Sequence, residues 1–201
     1  MINKQCLHCK HWLAMSYHKE NLKEQLVEIA WDICKAESWQ CVNMRLVAEK
    51  AGVSTTAFYR HFKNKNDLKV ELMRRGFQIL FEGAQDSASN FSRYGAHYIR
   101  FGLDYPHIYD LMFGNTDLDI SLYPDLEALS NASFSGIVEG LKSFMPEDSE
   151  NDVMIKAYNV WASVHGIVGI LRRSDWQESR TESLEWIENN LEAYLEMTTF
   201  R

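Results

Sequence analysis

"AGVSTTAFYRHFKNKNDL", residues 51–68, decides how this chain folds. Tyr59, Arg60, His61, Lys63 and Lys65 gather beside Phe58 and Phe62, behind a glycine and with Asp67 as the single acid. Asn43 is placed to cap a helix over 43–50 that stops at Ala51-Gly52, where glycine supplies the positive φ of a tight corner. Ser54 caps a second short helix over 54–61, because its oxygen accepts a backbone N–H two or three residues on. Asn64 caps the next, with Asp67 three residues later in a variant of the capping box. Two helices joined by "AGVS" form a helix-turn-helix candidate on local rules alone. On the second helix Phe58 and Phe62 stand one turn apart and face inward, which leaves Thr56 and Arg60 nearly opposite them and Tyr59 on the flank. In a DNA major groove, Thr55, Thr56 and Arg60 could reach base edges while the helix N-terminus at Ser54 meets a phosphate. An amphipathic surface helix with ordinary solvated charges has the same pattern.

The charge around this stretch is uneven. Residues 1–75 carry 13 Lys and Arg against 8 Asp and Glu, whereas residues 76–201 carry 8 against 20, for a net charge of −7. This asymmetry implies a basic head that meets a polyanion and an acidic body that does not. The apolar share of 46% supports a real core. No run approaches the roughly 18 apolar residues of a membrane span, and the first residues lack a secretory apolar region, so a cytoplasmic protein is expected.

Apolar residues recur at three and four: Leu22, Leu26, Ile29 and Ile33 early in the chain, and Leu184, Ile187, Leu191 and Tyr194 near its end. The fold class is therefore all-α, with helices expected over 21–37, 43–50, 54–61, 65–87, 90–104, 106–113, 124–144, 150–173 and 178–197. The expected organisation is a flexible arm at 1–16, a three-helix DNA-binding domain at 17–75 and a larger helical domain at 76–201, with only the last boundary fitting the charge switch. Cys6, His8, Cys9 and His11 are zinc-ligand types, but four ligands in six residues make a strained site and no second pair follows; no metal is expected there. Cys34 sits in an apolar helical stripe and reads as a buried thiol.

Residues 17–77 resemble the DNA-binding domain of the tetracycline-repressor (TetR) family. The matching residues are Ile29-Ala30, Arg45, Val47-Ala48, Ala51 to Ser54, Tyr59, His61-Phe62, Lys65 and Leu68. The resemblance implies that Tyr59 and His61 touch phosphates from the recognition helix, Lys65 from the start of the next helix and Arg45 from the helix before. It also implies that Tyr17 and His18 lead a first helix that begins against the DNA backbone. The chain departs from the family pattern at Ser38, where a glycine usually ends the first helix.

The body resembles the effector-binding domain named for its Trp…His-Gly signature, the WHG type, through "AHYIRFGLDYPHIYDLMFGN" (96–115) and Trp161, His165 and Gly166. Trp161 and His165 are i, i+4 neighbours, a spacing that fits a satisfied core histidine as well as an effector contact. Phe101, Tyr105, Tyr109, Met112, Phe113 and Phe134 either line a cavity with them or form ordinary core. By resemblance the last two long helices pair between subunits, with Leu171, Trp176, Leu184, Trp186, Ile187, Leu191 and Tyr194 as apolar material. The implied protein is a bacterial, nucleoid-associated homodimeric repressor with a palindromic operator and a small-molecule effector. An effector-independent DNA-organising protein is the alternative, and a helical enzyme a remoter one. No catalytic motif or cofactor-binding loop is present in the sequence, so neither an enzyme nor a cofactor is expected.

Overall fold

The computed structural model describes residues 22–85, 91–114, 117–173 and 181–199, and every regular element among them is helical. The arm at 1–16, with its Cys and His cluster, lies outside the described residues, as do Tyr17, His18 and Trp176.

The head is built from α1 (Leu22–Ala36), α2 (Met44–Lys50) and α3 (Thr55–Tyr59). Asn43 Oδ1 accepts from the Leu46 N–H at 2.8 Å, and Ser54 Oγ accepts from the Ala57 N–H at 3.2 Å, so both helices start where their caps stand. Gly52 turns the chain between them at φ 69°, the left-handed region that a side chain would strain. Leu26, Val47, Phe58 and Phe62 are almost fully enclosed and hold the three helices together. Ser38 has φ 175° and ψ 171°, an extended residue that opens a 3-10 turn over Trp39–Cys41. The family's glycine is therefore not required at Ser38, because the backbone there never enters the left-handed region.

Helix α4 (Lys65–Gln85) starts in the head and continues into the body. Asn64 Oδ1 accepts from the Asp67 N–H at 3.0 Å while Asp67 Oδ2 accepts from the Lys63 N–H at 2.9 Å, closing the expected cap. Arg75 ties α4 to Glu28 on α1 through two guanidinium nitrogens, and stacks over the Trp31 ring at 4.7 Å. One residue earlier, Arg74 donates to Asp125 at 2.9 Å. The helix is thus held to the head on one side and to the body on the other.

The body comprises α5 (Phe91–Asp104), α6 (Pro106–Phe113), α7 (Pro124–Phe144), α8 (Glu150–Leu171), α9 (Glu182–Asn189) and α10 (Leu191–Thr199). Helix α5 packs against α8 and α10, α7 pairs with α8, and α6 sits against α1, α4 and α5. At the contact of α4 with α6, a side chain at Gly76 would overlap Met112 Sδ and come within 3.1 Å of Ile108 Cγ2. Any side chain there would have to displace the end of Met112 and shift Ile108 slightly. One core cluster runs without a break from Leu26 in the head to Leu195 in α10. A smaller one (Ile137, Leu141, Val153, Ala157) fills the α7–α8 hairpin.

The single helix expected over 178–197 is instead broken at Asn190, which has φ −134° and ψ 47°. Asn189 and Asn190 donate their side-chain amides to the carbonyls of Glu185 and Trp186. Such side-chain bonds to the preceding turn compete with the helical ladder and end it. No described helix is long and apolar enough to cross a membrane.

Candidate functional site

The head exposes the polar residues expected to meet DNA. Arg45 on α2, Ser54, Thr55, Thr56 and Tyr59 on α3, and Arg60 and His61 just after it are all exposed, with Tyr59 at 48%. Tyr59 is held edge-on against the buried Phe58 ring at 5.9 Å, so its hydroxyl is displayed from a fixed base. Lys65 is set differently. Its ammonium donates to the Trp39 carbonyl at 3.2 Å and lies 4.5 Å from the centre of the Trp39 ring. Burial, then the charge of nearby Lys69, holds its pKa below that of a free lysine.

In the body, His165 is the centre of a polar group inside an aromatic box. Its Nδ1 lies 2.5 Å from the Tyr109 hydroxyl and its Nε2 3.2 Å from the Tyr98 hydroxyl. The rings of Trp161, Phe113, Tyr109 and Tyr98 surround it at 4.5, 5.2, 5.5 and 5.6 Å. Burial lowers the His165 pKa to about 4 and raises those of both tyrosines. At neutral pH the imidazole is therefore uncharged: one ring nitrogen donates to a phenol oxygen and the other accepts from a phenol O–H. Three polar groups are satisfied by one another without a charge.

Sequence reasoning missed Tyr98, although it lies on the same helical stripe as Phe101 and Tyr105. The rest of the expected effector group divides. Tyr109, Phe113, Trp161 and His165 come together, and Phe134 joins them through Trp161 at 5.7 Å. Phe101 stacks on Tyr105 at 5.3 Å, and Tyr105 reaches Trp31 of the head at 6.1 Å. Met112 faces Gly76 of α4. Tyr105 marks the contact of head and body, and Met112 the contact of α6 with α4.

Beside the box, Phe91, Tyr94, Tyr98, Ile137, Trp161 and Leu195 enclose a narrow apolar cavity of about 20 Å³. That is room for about one water. No charged residue lines it, and Tyr94 makes no hydrogen bond among the described residues. Any larger guest has to part α5, α7, α8 or α10.

Helix α6 is anchored to α8 twice. Tyr109 meets His165, and the next residue, Asp110, accepts both terminal guanidinium nitrogens of Arg172 at 2.8 and 2.7 Å. Its other face carries Ile108 and Met112 onto Gly76.

The outer side of α8 is apolar and uncovered. Ile155 is 59% exposed and Tyr158 61%, while Gly166 and Gly169 face open space. Trp186 and Met197 are exposed on α9 and α10, with Leu184, Ile187 and Tyr194 half-buried. Leu171 and Leu191, expected on the same face, are instead 7% and 5% exposed and belong to the chain's own core. Helical period alone cannot tell which of two apolar sides faces inward.

Among the described residues no group of three His, Cys, Asp or Glu is arranged to hold a metal ion. Cys34 is enclosed, and burial pushes its thiol up to about 12, so it is an inert core residue.

The chain is similar to known proteins along most of its length. A Haemophilus influenzae protein described as an uncharacterized HTH-type transcriptional regulator is 24% identical over 157 residues, 76% of this chain and 75% of its own. A solved structure of a protein with unknown function from Rhodococcus sp. RHA1 superposes with a TM-score of 0.68 at 20% identity, over 90% of this chain and 98% of that one. The structure of AibR in complex with isovaleryl coenzyme A and operator DNA superposes with a TM-score of 0.60 at 12% identity, over 86% and 97%. Residues 91–190 match the tetracyclin repressor-like C-terminal domain, and residues 26–72 match the bacterial regulatory proteins of the tetR family. With the helix-turn-helix at its start and this domain behind it, the chain belongs to the tetR family of transcriptional regulators.

Proposed function

We propose that this regulator is a homodimeric, cytoplasmic, nucleoid-associated repressor that binds a palindromic operator and is released by a small uncharged effector. The head, residues 17–75, supplies the DNA contacts and the remainder of the chain supplies effector binding and dimerisation. Thr55, Thr56 and Arg60 read base edges; Arg45, Ser54, Tyr59, His61 and Lys65 hold phosphates. The exposed side of α8, with Trp186 and Met197, pairs with its copy around Gly166 and Gly169, whose lack of side chains admits a second helix. A two-fold pair then sets two recognition helices about 34 Å apart, one turn of DNA.

The observation that carries this reading is the path from His165 to the head. His165 holds Tyr109 on α6, the same helix sets Met112 and Ile108 against Gly76, and α4 leads back to Lys65 beside the recognition helix. A guest that parts the walls around Tyr98 and Trp161 disturbs the partners of His165, and α6 moves against α4. Release follows when the guest binds the displaced arrangement better than the DNA-competent one. The apolar, charge-free cavity wall with its unbonded Tyr94 hydroxyl favours a compact guest with one hydrogen-bonding group. That AibR is seen with both an acyl-coenzyme A and operator DNA supports a pairing of small molecule and operator here.

Selection of bound sequences from random duplex DNA with the purified chain tests the reading. One palindrome with half-sites a turn apart is the expected result. Enrichment of many unrelated sequences would replace it with a DNA-organising role.

A further inference from the structure

Four side chains of alternating charge run from the head, across α4, to the start of α7. Lys23 of α1 pairs with Glu71 of α4, Glu71 with Arg74 at 3.3 Å, and Arg74 with Asp125 in the first turn of α7. Arg74 meets the Asp125 carboxylate twice: Nη2 donates to Oδ1 at 2.9 Å, and Nε lies 2.7 Å from Oδ2. A two-point contact of this kind fixes a direction as well as a distance. The hydrogen bond from Arg74 holds the Asp125 carboxyl below the usual carboxylate range, so the pair is ionised at neutral pH.

The other body contact of α4, against Ile108 and Met112 of α6, is apolar and has no such directional demand. Glu71 and Arg74 are 23% and 26% exposed, and Lys23 and Asp125 more than half. Solvent therefore screens these charges, and they add little to the stability of the fold. What they specify is how α4 is turned between the head and α7. Helix α7 is also a wall of the proposed effector site: Ile137 lines the apolar cavity and Phe134 packs on Trp161 at 5.7 Å. Asp125 stands on the same helix as Ile137, about 18 Å nearer its start.

We propose that Asp125 and Arg74 are positioning residues for operator recognition, whose ion pair holds α4, and with it the head, at the angle that fits DNA. A guest that tilts α7 draws Asp125 from Arg74 and frees that angle. Neither residue belongs to the face assigned to DNA or lines the cavity; both act through α4. The inference rests on the operator reading above, and adds a route from cavity to head that bypasses His165 and α6.

Two measurements on the whole chain test it. Hydrogen exchange without DNA reads the joint itself. Amides of α4 between Glu71 and Phe81 should exchange several-fold faster in Asp125→Asn, and at the wild-type rate in Asp125→Glu, which keeps the charge. Fluorescence anisotropy on the selected operator should show binding weakened about threefold or more in Asp125→Asn and in Arg74→Gln, with urea midpoints unchanged. The double variant should lose no more than the weaker single one, because the two residues act as one unit. Wild-type exchange in Asp125→Asn, wild-type operator affinity in both single variants, additive losses in the double variant, or an equal loss in Asp125→Glu would overturn the pair. A wild-type chain that selects no operator would strike the operator reading instead, and the exchange rates would still decide the joint.

Discussion

The hydroxyl of Tyr109 lies 2.5 Å from Nδ1 of His165, so the helix that leans on α4 is bonded to the centre of the aromatic box. Tyr109→Phe removes one partner and leaves a half-buried imidazole nitrogen without another. The expected cost is about 1–3 kcal/mol in urea unfolding, the usual penalty for a stranded buried polar atom. If the bond also transmits effector binding, the variant keeps its operator affinity and loses much of its release by effector. Unchanged stability and unchanged release would remove Tyr109 from the path.

His165 gives stability a defined pH dependence. Its pKa is about 4 in the fold and 6.5 in the unfolded chain, so between these values the unfolded chain binds more protons. Stability from this group is complete above pH 6.5 and falls as pH drops toward 4. Linkage puts the full loss at about 3 kcal/mol at most, less because solvent reaches part of the ring. Urea midpoints measured from pH 7.5 to 4.5 should decline in the wild type and decline less in His165→Gln. Parallel curves would contradict the neutral, enclosed histidine.

Gly76→Ala is expected to destabilise the chain by about 1–3 kcal/mol, the range for overpacking. The new methyl overlaps Met112 Sδ and presses on Ile108. Adding Met112→Ala removes the overlapping sulfur, so the double variant should lose less than the two single changes together. A double-mutant cycle in urea measures that coupling, expected at ~0.5 kcal/mol or more for residues in contact.

On the DNA side, Arg60→Ala should relax the preference at one base position and cost ~1–3 kcal/mol in operator binding. Lys65→Ala should weaken all sequences alike and flatten the salt dependence by about one phosphate contact. Fluorescence anisotropy on the selected operator and on random duplex, over a salt series, separates the two. An Arg60→Ala protein that retains full preference would refute base reading by Arg60.

Tyr158→Asp places a charge in the middle of the uncovered α8 face. Light scattering after size exclusion should show a dimer in the wild type and a monomer in the variant, with far-ultraviolet circular dichroism unchanged. A monomeric wild type would mean that this apolar face serves another partner.

The head was legible because its signals are local. Asn43, Ser54 and Asn64 each bond a backbone N–H within three residues, and Gly52 turns where only glycine turns easily. The Trp161–His165 contact was legible for the same reason, since i, i+4 side chains on a helix must meet. What could not be read depends on which helix lies opposite. Tyr98 is 67 residues from His165, and nothing within α5 distinguishes it from Phe101. Leu171 and Leu191 have the same composition signal as Trp186, and only the packing of α8 and α10 on α5 turns them inward. The departure at Ser38 is accommodated because the backbone there is extended.

If the cavity of about 20 Å³ is where the proposed effector enters, its size bears on what the protein senses. A guest larger than the cavity is admitted only in the fraction of molecules whose walls have already parted, and apparent affinity falls by that fraction. Discrimination then resides less in complementarity than in the work of separating Trp161, Tyr98 and their neighbours. A smaller side chain at position 161 would lower this threshold for every guest at once. The cell could thus retune its response to a signal by altering core packing, with no change in the groups that touch the signal molecule.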